Sequence, residues 1–123
     1  MRALIVDDSR AMRALIGRSL REFQIETFEA ANGREAMDKL KAGERADLAM
    51  VDWNMPEMNG LEFVRTVRSC NDYDAMRIVM VTTEAELGRM GEALDSGANE
   101  YLMKPFTKDA MAEKLKLIGC LAA

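Results

Sequence analysis

The sequence predicts an α/β domain in which five short, parallel strands alternate with five helices. Three observations predict it. Apolar runs alternate five times with amphipathic stretches along the 123 residues, the pattern of successive βα units around a mostly parallel sheet. Each unit spans roughly 20 to 25 residues, which is what a short strand and its crossover helix require. Four of the runs end on polar residues: Leu4-Ile5-Val6 on Asp7-Asp8, Leu48-Ala49-Met50-Val51 on Asp52, Ile78-Val79-Met80-Val81 on Thr82, and Tyr101-Leu102-Met103 on Lys104-Pro105.

The elements follow in order. After the first strand, Ser9 is placed to cap a helix running to about Phe23. Met12, Leu15, Ile16, Leu20 and Phe23 recur at helical spacing and are expected to point inward. Its other side carries Arg10, Arg13, Arg18 and Arg21, either a solvated face or a docking face for an acidic partner. Ile25 to Ala30 reads as the second strand. Asn32-Gly33 opens a second helix, with Ala36, Met37 and Leu40 inward and an end near Gly43. Asp47 to Val51 is the third strand. Pro56 and Asn59-Gly60 mark a loop, followed by a helix lined by Leu61, Val64 and Val67. Arg77 to Val81 is the fourth strand, and the helix after it is expected from about Glu84 to Ser96. That helix contains Gly88 and Gly91, each costing about 0.5–1 kcal/mol relative to alanine in a helix interior, so it reads as a soft element. Gly97-Ala98-Asn99 leads into a fifth strand over Glu100 to Met103. Thr107 then caps a last helix with Met111, Leu115 and Ile118 inward.

Composition narrows the function classes. The length fits one domain, expected to span residues 1–123 with no attached output domain. With 49% hydrophobic and 31% charged residues the chain is an ordinary globular protein. Its net charge of −4 argues against a nucleic-acid binder. No apolar run approaches a membrane span and no signal-peptide pattern is evident, so a cytoplasmic monomer is expected. Cys70 and Cys120 are far apart and lie in no metal-ligand spacing, so they read as free thiols. Histidine is absent. This excludes Ser-His and Cys-His nucleophilic pairs and histidine metal sites, and any phosphohistidine that serves this chain belongs to a partner.

The polar strand ends carry the chemistry. In an open parallel sheet they meet at the carboxyl edge, where such folds bind ligands. Asp7, Asp8 and Asp52 would crowd together there with the Thr82 hydroxyl and the Lys104 ammonium. Three carboxylates repel, and the usual way to keep them ionised is a hard divalent cation, with Mg²⁺ the default. An ammonium and a hydroxyl beside that ion suit an incoming phosphoryl group.

Four ordered blocks carry a family resemblance: Leu4-Ile5-Val6-Asp7-Asp8-Ser9, Val51-Asp52-Trp53-Asn54-Met55-Pro56-Glu57-Met58-Asn59-Gly60, Val81-Thr82-Thr83-Glu84-Ala85 and Tyr101-Leu102-Met103-Lys104-Pro105-Phe106. Over essentially the whole chain they resemble the receiver domain of two-component response regulators, and within it the stand-alone, CheY-like chemotaxis regulators. The resemblance implies a flavodoxin-like doubly wound fold of strand order 2-1-3-4-5, for which CheY is a standard example. It also implies that Asp52 is the phosphoacceptor, a carboxylate nucleophile that becomes an acyl phosphate. Asp8 then binds Mg²⁺ directly, Asp7 acts through a bound water, and Asn54 lends its backbone carbonyl to the metal. Lys104 neutralises a phosphoryl oxygen, and Pro105 follows a cis bond. Thr82 hydrogen-bonds the phosphoryl group, and Tyr101 is the aromatic switch that follows it.

By the same resemblance the Asn54 and Glu84 pair tunes hydrolysis of the acyl phosphate. Thr83 stands where a smaller alanine is common, and its methyl would hinder water. Donor and target are expected to be a sensor histidine kinase or histidine phosphotransfer protein and a downstream protein bound by the helix 4/strand 5/helix 5 surface. The domain would promote its own phosphorylation and dephosphorylation without being a conventional enzyme. Competing readings are a receiver in a non-chemotaxis phosphorelay, an aspartate-nucleophile Mg²⁺ phosphatase, a flavodoxin-like cofactor binder and a receiver that signals without phosphorylation. The phosphatase is disfavoured because the first block is Asp-Asp-Ser rather than Asp-x-Asp and nothing resembles a cap. The cofactor binder is disfavoured because the loop after strand one lacks a phosphate-cradling run, and the receiver that signals without phosphorylation because all five acceptor-site residues are present.

Overall fold

Runs such as Ala3-Leu4-Ile5-Val6 are apolar at every position, which is what strands covered on both faces require. The structure, a computed structural model describing residues 1–122, places five such strands in one parallel sheet. They are β1 (Arg2–Val6), β2 (Glu26–Ala30), β3 (Leu48–Asp52), β4 (Arg77–Thr82) and β5 (Glu100–Met103). Their order is β2-β1-β3-β4-β5, as the resemblance implies. The helices are α1 (Arg10–Glu22), α2 (Gly33–Lys41), α3 (Gly60–Arg68), α4 (Met90–Asp95) and α5 (Lys108–Leu117).

Strand side chains alternate between two cores, following the period of two along a strand. Leu4, Val6, Ala49, Val51, Ile78 and Met80 pack with α2, α3 and α4 on one face. Ala3, Ile5, Leu48, Met50, Val79 and Val81 pack with α1 and α5 on the other. Side-chain caps begin four of the helices: Ser9, Asn32, Asn59 and Thr107 each accept a backbone N–H. Asn59 completes a capping box with Glu62.

Three expectations need correction. Leu15 is not inward but 46% exposed. The buried side of α1 is centred on Ile16, Gly17 and Leu20, and a neighbour about 100° further round from Ile16 falls at its edge. The fourth helix does not run from Glu84 to Ser96. Residues Glu84–Arg89 wind as a 3₁₀ segment, and only Met90–Asp95 are α-helical. The first half of the fourth crossover is thus 3₁₀ and not α-helical, and Gly88 and Gly91 lie on either side of the change in winding. Finally, β3 and β4 each continue one residue further than their apolar runs, because Asp52 pairs with Val81 and Thr82 with Met103 in the ladder.

Arg68 fastens the opposite end of the sheet. Its guanidinium donates to the carbonyl oxygens of Gly97 (3.0 Å), Tyr73 (2.9 Å) and Met76 (2.7 Å) and to Asn99 Oδ1 (3.0 Å). Asn99 Oδ1 also accepts the Ile78 backbone N–H at 2.8 Å, so one arginine ties α3, the β4 entry and the loop before β5 together.

Candidate functional site

The carboxyl edge of the sheet is assembled from strand ends. Asp7 and Asp8 follow β1, Asp52 and Thr82 terminate β3 and β4, and Lys104 follows β5. One carboxylate oxygen from each of Asp7, Asp8 and Asp52 lies within 4.8 Å of the others. Lys104 Nζ donates to Asp52 Oδ1 at 3.0 Å and approaches Asp7 Oδ2 at 3.5 Å. The Lys104–Pro105 peptide is cis. Asp7 Oδ1 accepts the Ser9 backbone N–H at 2.8 Å, so both its oxygens are engaged within the protein, whereas Asp8 is exposed.

Electrostatics follow from this crowding. Asp52 is only 7% exposed. Burial pushes its carboxyl above the usual range, and the charges of Asp7 and Asp8 push the same way against the hydrogen bond from Lys104. Burial acts to lower the Lys104 pKa, but the hydrogen bond and charge of Asp52, with Asp7, outweigh it and hold the ammonium above its ordinary value. The donor set is all hard oxygen, which suits a divalent cation such as Mg²⁺ and not a soft metal.

The remaining predicted residues surround this centre unequally. Thr82 is buried, and its hydroxyl donates locally to the Thr83 carbonyl at 3.3 Å. Tyr101 is half-buried on β5, with Lys114 Nζ 4.4 Å from its ring centroid. Asn54 is at the rim and Glu84 is exposed, and the two are not joined. Asn54 Nδ2 instead donates to Glu86 Oε1, and Thr83 Oγ1 donates to Glu86 Oε2. Glu86 was not anticipated, nor was Arg89, whose guanidinium lies 4.8 Å from the centroid of the buried Trp53 ring. A 3₁₀ period, in which residues three apart share a face, is the signal that would have found both. Of the four α1 arginines, Arg13 is half-buried, pairing with Glu29 at 2.9 Å and donating to the Asp7 carbonyl at 2.7 Å, whereas Arg21 stays exposed and donates to Thr27 Oγ1 at 3.1 Å.

Comparison with known proteins places this arrangement in a family. Residues 3–116 match the response regulator receiver domain. The chain belongs to this family. Chemotaxis protein CheY1 of Helicobacter pylori is 42% identical over 119 residues, covering 96% of each chain. A chemotaxis protein CheY homolog of Campylobacter jejuni is 44% identical over 117 residues, covering 94% of this chain and 90% of the relative. Among solved structures, Vibrio cholerae chemotaxis protein CheY4 superposes with a TM-score of 0.85 at 36% identity, covering 98% of both chains. A CheY-like receiver domain protein from Methanospirillum hungatei gives 0.84 at 32% identity over 95% of this chain and 91% of that one. The chain is thus a CheY-like receiver domain, a member of a family of response-regulator signalling proteins. Among the described residues no helix is long and apolar enough to cross a membrane.

Proposed function

We propose that this receiver takes a phosphoryl group from a partner phosphohistidine onto Asp52 and thereby switches its α4/β5/α5 surface between two affinities for a target protein. The carrying observation is the convergence of Asp7, Asp8 and Asp52 oxygens within 4.8 Å, with Lys104 Nζ 3.0 Å from Asp52 Oδ1. Asp52 is the nucleophile. Asp8, exposed and unencumbered by the Ser9 and Lys104 contacts that occupy Asp7, is the direct ligand for Mg²⁺, with Asp52 and the Asn54 carbonyl beside it. When bound, the ion screens the repulsion between carboxylate and phosphoryl anion. Lys104 exchanges part of its pairing with Asp52 for a phosphoryl oxygen, and the buried Thr82 hydroxyl turns from its own loop toward the same group. Tyr101, half-buried against the core that contains Trp53, follows the space that Thr82 vacates.

The donor is a histidine kinase or a histidine phosphotransfer protein, since the chain itself contains no histidine. The relatives' names favour a chemotaxis pathway, and the domain works as a cytoplasmic monomer that contributes to forming and hydrolysing its own acyl phosphate. Acetyl phosphate should label the protein only with Mg²⁺ present, read by intact mass. Asp52→Asn should abolish the label, and equal labelling of that variant would overturn the acceptor assignment. As the sole tryptophan, Trp53 should report Mg²⁺ by its fluorescence, and a flat titration to tens of millimolar would count against the metal site.

A further inference from the structure

The loop after β4 does not merely connect. Residues Glu84–Arg89 wind as a 3₁₀ helix, in which residues three apart eclipse one another. Thr83, Glu86 and Arg89 therefore form one face, and that face lies across the loop that carries the acceptor. Glu86 is half-buried, and each of its carboxylate oxygens accepts one hydrogen bond, from Asn54 Nδ2 on the β3 side and from Thr83 Oγ1 on the β4 side. Arg89 continues the contact by covering Trp53, the residue next to Asp52. A hydrogen bond to an ionised acceptor is roughly twice as strong as a neutral one. The Asn54 amide is thus committed to Glu86 in the unphosphorylated protein.

We propose that Glu86 is a positioning residue of the acceptor site: it ties the Asn54 amide and the Thr83 hydroxyl together across the rim, and it must release them for Asp52 to take a phosphoryl group. The proposal rests on the reading of Asp52 as acceptor. In the step concerned, an Asp52 carboxylate oxygen forms a bond to phosphorus while the donor's bond to phosphorus breaks, P–N in a phosphohistidine and P–O in acetyl phosphate, and the leaving imidazole or acetate takes the bonding pair. The product carries a nearly dianionic group beside the site, which repels the Glu86 carboxylate and competes for the Asn54 N–H. Glu86 thereby opposes phosphorylation and favours the unmodified state, acting through Asn54 rather than on phosphorus.

The test is a double-mutant cycle on the full chain with acetyl phosphate and Mg²⁺, joined to an NMR observation of the Asn54 side-chain amide. Glu86→Ala should take the label roughly three- to tenfold faster than wild type, the scale of one charge-assisted hydrogen bond partly exposed to water. Glu86→Gln, which keeps an oxygen for Asn54 and an amide for Thr83, should fall between the two. In an Asn54→Ala background the effect of Glu86→Ala should shrink below twofold, a loss of coupling that a purely structural role would not produce. In the absence of donor, Glu86→Ala should shift the Asn54 δ-amide proton resonances and speed their exchange. Unchanged Asn54 resonances would overturn the tether directly. Acceleration that survives in full without Asn54 would assign the effect to Glu86 charge alone and overturn it too. A wild type that takes no label would overturn the acceptor reading itself, a result distinct from normal labelling with no Glu86 effect.

Discussion

Gly60→Ala is the perturbation that most directly joins the fold to the acceptor. Gly60 opens α3, and its N–H donates to the Trp53 carbonyl at 2.9 Å, holding the acceptor loop against the helix start. A Cβ added there would lie 2.4 Å from the Asp52 carbonyl oxygen, 2.8 Å from Met80 Cε and 3.1 Å from Trp53 Cα. Met80 can move its terminal methyl, but the Asp52 carbonyl is backbone inside the β3 ladder. Restoring ordinary contact would separate the two segments by roughly 0.6–1 Å, and overpacking of this kind costs about 1–3 kcal/mol. Alanine's better helix propensity returns up to ~1 kcal/mol, leaving a net loss of about 0.5–2 kcal/mol and a Tm fall of roughly 2–8 °C. Displacing a nucleophile by about 1 Å can cost on the order of 100-fold in rate, so labelling by acetyl phosphate should slow by roughly ten- to a hundredfold. Calorimetry and intact-mass time courses measure the two effects on one sample. Gly88→Ala is the control, since nothing lies within 4 Å of its added Cβ. A Gly60→Ala protein that melts within 1 °C of wild type and labels within about twofold of its rate would refute the steric argument.

Three further outcomes follow from the same geometry. Arg68→Lys should lower stability in urea by about 2 kcal/mol, since a single ammonium cannot reach the three carbonyls and Asn99 Oδ1 that the guanidinium serves, and a loss under about 0.5 kcal/mol would count against it. Thr83→Ala should speed decay of the acyl phosphate severalfold, equivalent to roughly 1 kcal/mol of barrier, because it removes the methyl at the water's approach; slower or unchanged phosphate release would refute that steric account. Residues 84–95 should exchange amide protons faster than α1 in the unphosphorylated protein, because a six-residue 3₁₀ run and a six-residue helix containing Gly88 and Gly91 hold few internal bonds; equal protection, with normal switching of the Gly88→Ala/Gly91→Ala variant, would show that the glycines do not soften this segment.

The sheet was legible because strands buried on both faces must be apolar throughout, so their ends stand out wherever a polar residue appears. That contrast located Asp7, Asp8, Asp52, Thr82 and Lys104 before any contact was known. Their strand order came from the family resemblance, since hydrophobic runs do not say which neighbours pair. Exposure of Leu15 was hidden because helical spacing defines a stripe but not its centre. Ile16 and Leu20 set that centre, since both are buried in the core that α1 shares with α5. Arg68 was also hidden, since its partners are backbone carbonyls, and carbonyls leave no mark in sequence.

The segment after β4 shows why residue spacing must be read with the right winding. Under α-helical geometry, about 100° per residue, the neighbours of Thr83 on one face are Glu86 and Leu87, with Leu87 the closer in angle. Tightening to three residues per turn moves Glu86 directly over Thr83, places Arg89 above it, and turns Leu87 away from that line. The observed contacts follow the second geometry: Glu86 meets Thr83 and Asn54, Arg89 covers Trp53, and Leu87 remains 38% exposed. Glu84, one residue after Thr83, is rotated by about 120° and faces solvent. The acceptor loop is therefore gripped by residues three and six positions beyond Thr83, and a change of winding between Thr83 and Met90 would break every one of these contacts at once. On the proposed reading of Asp52 as acceptor, a phosphoryl group that draws Thr82 inward would pull on the start of that same turn, and the local helix type would be the element through which the site reaches α4.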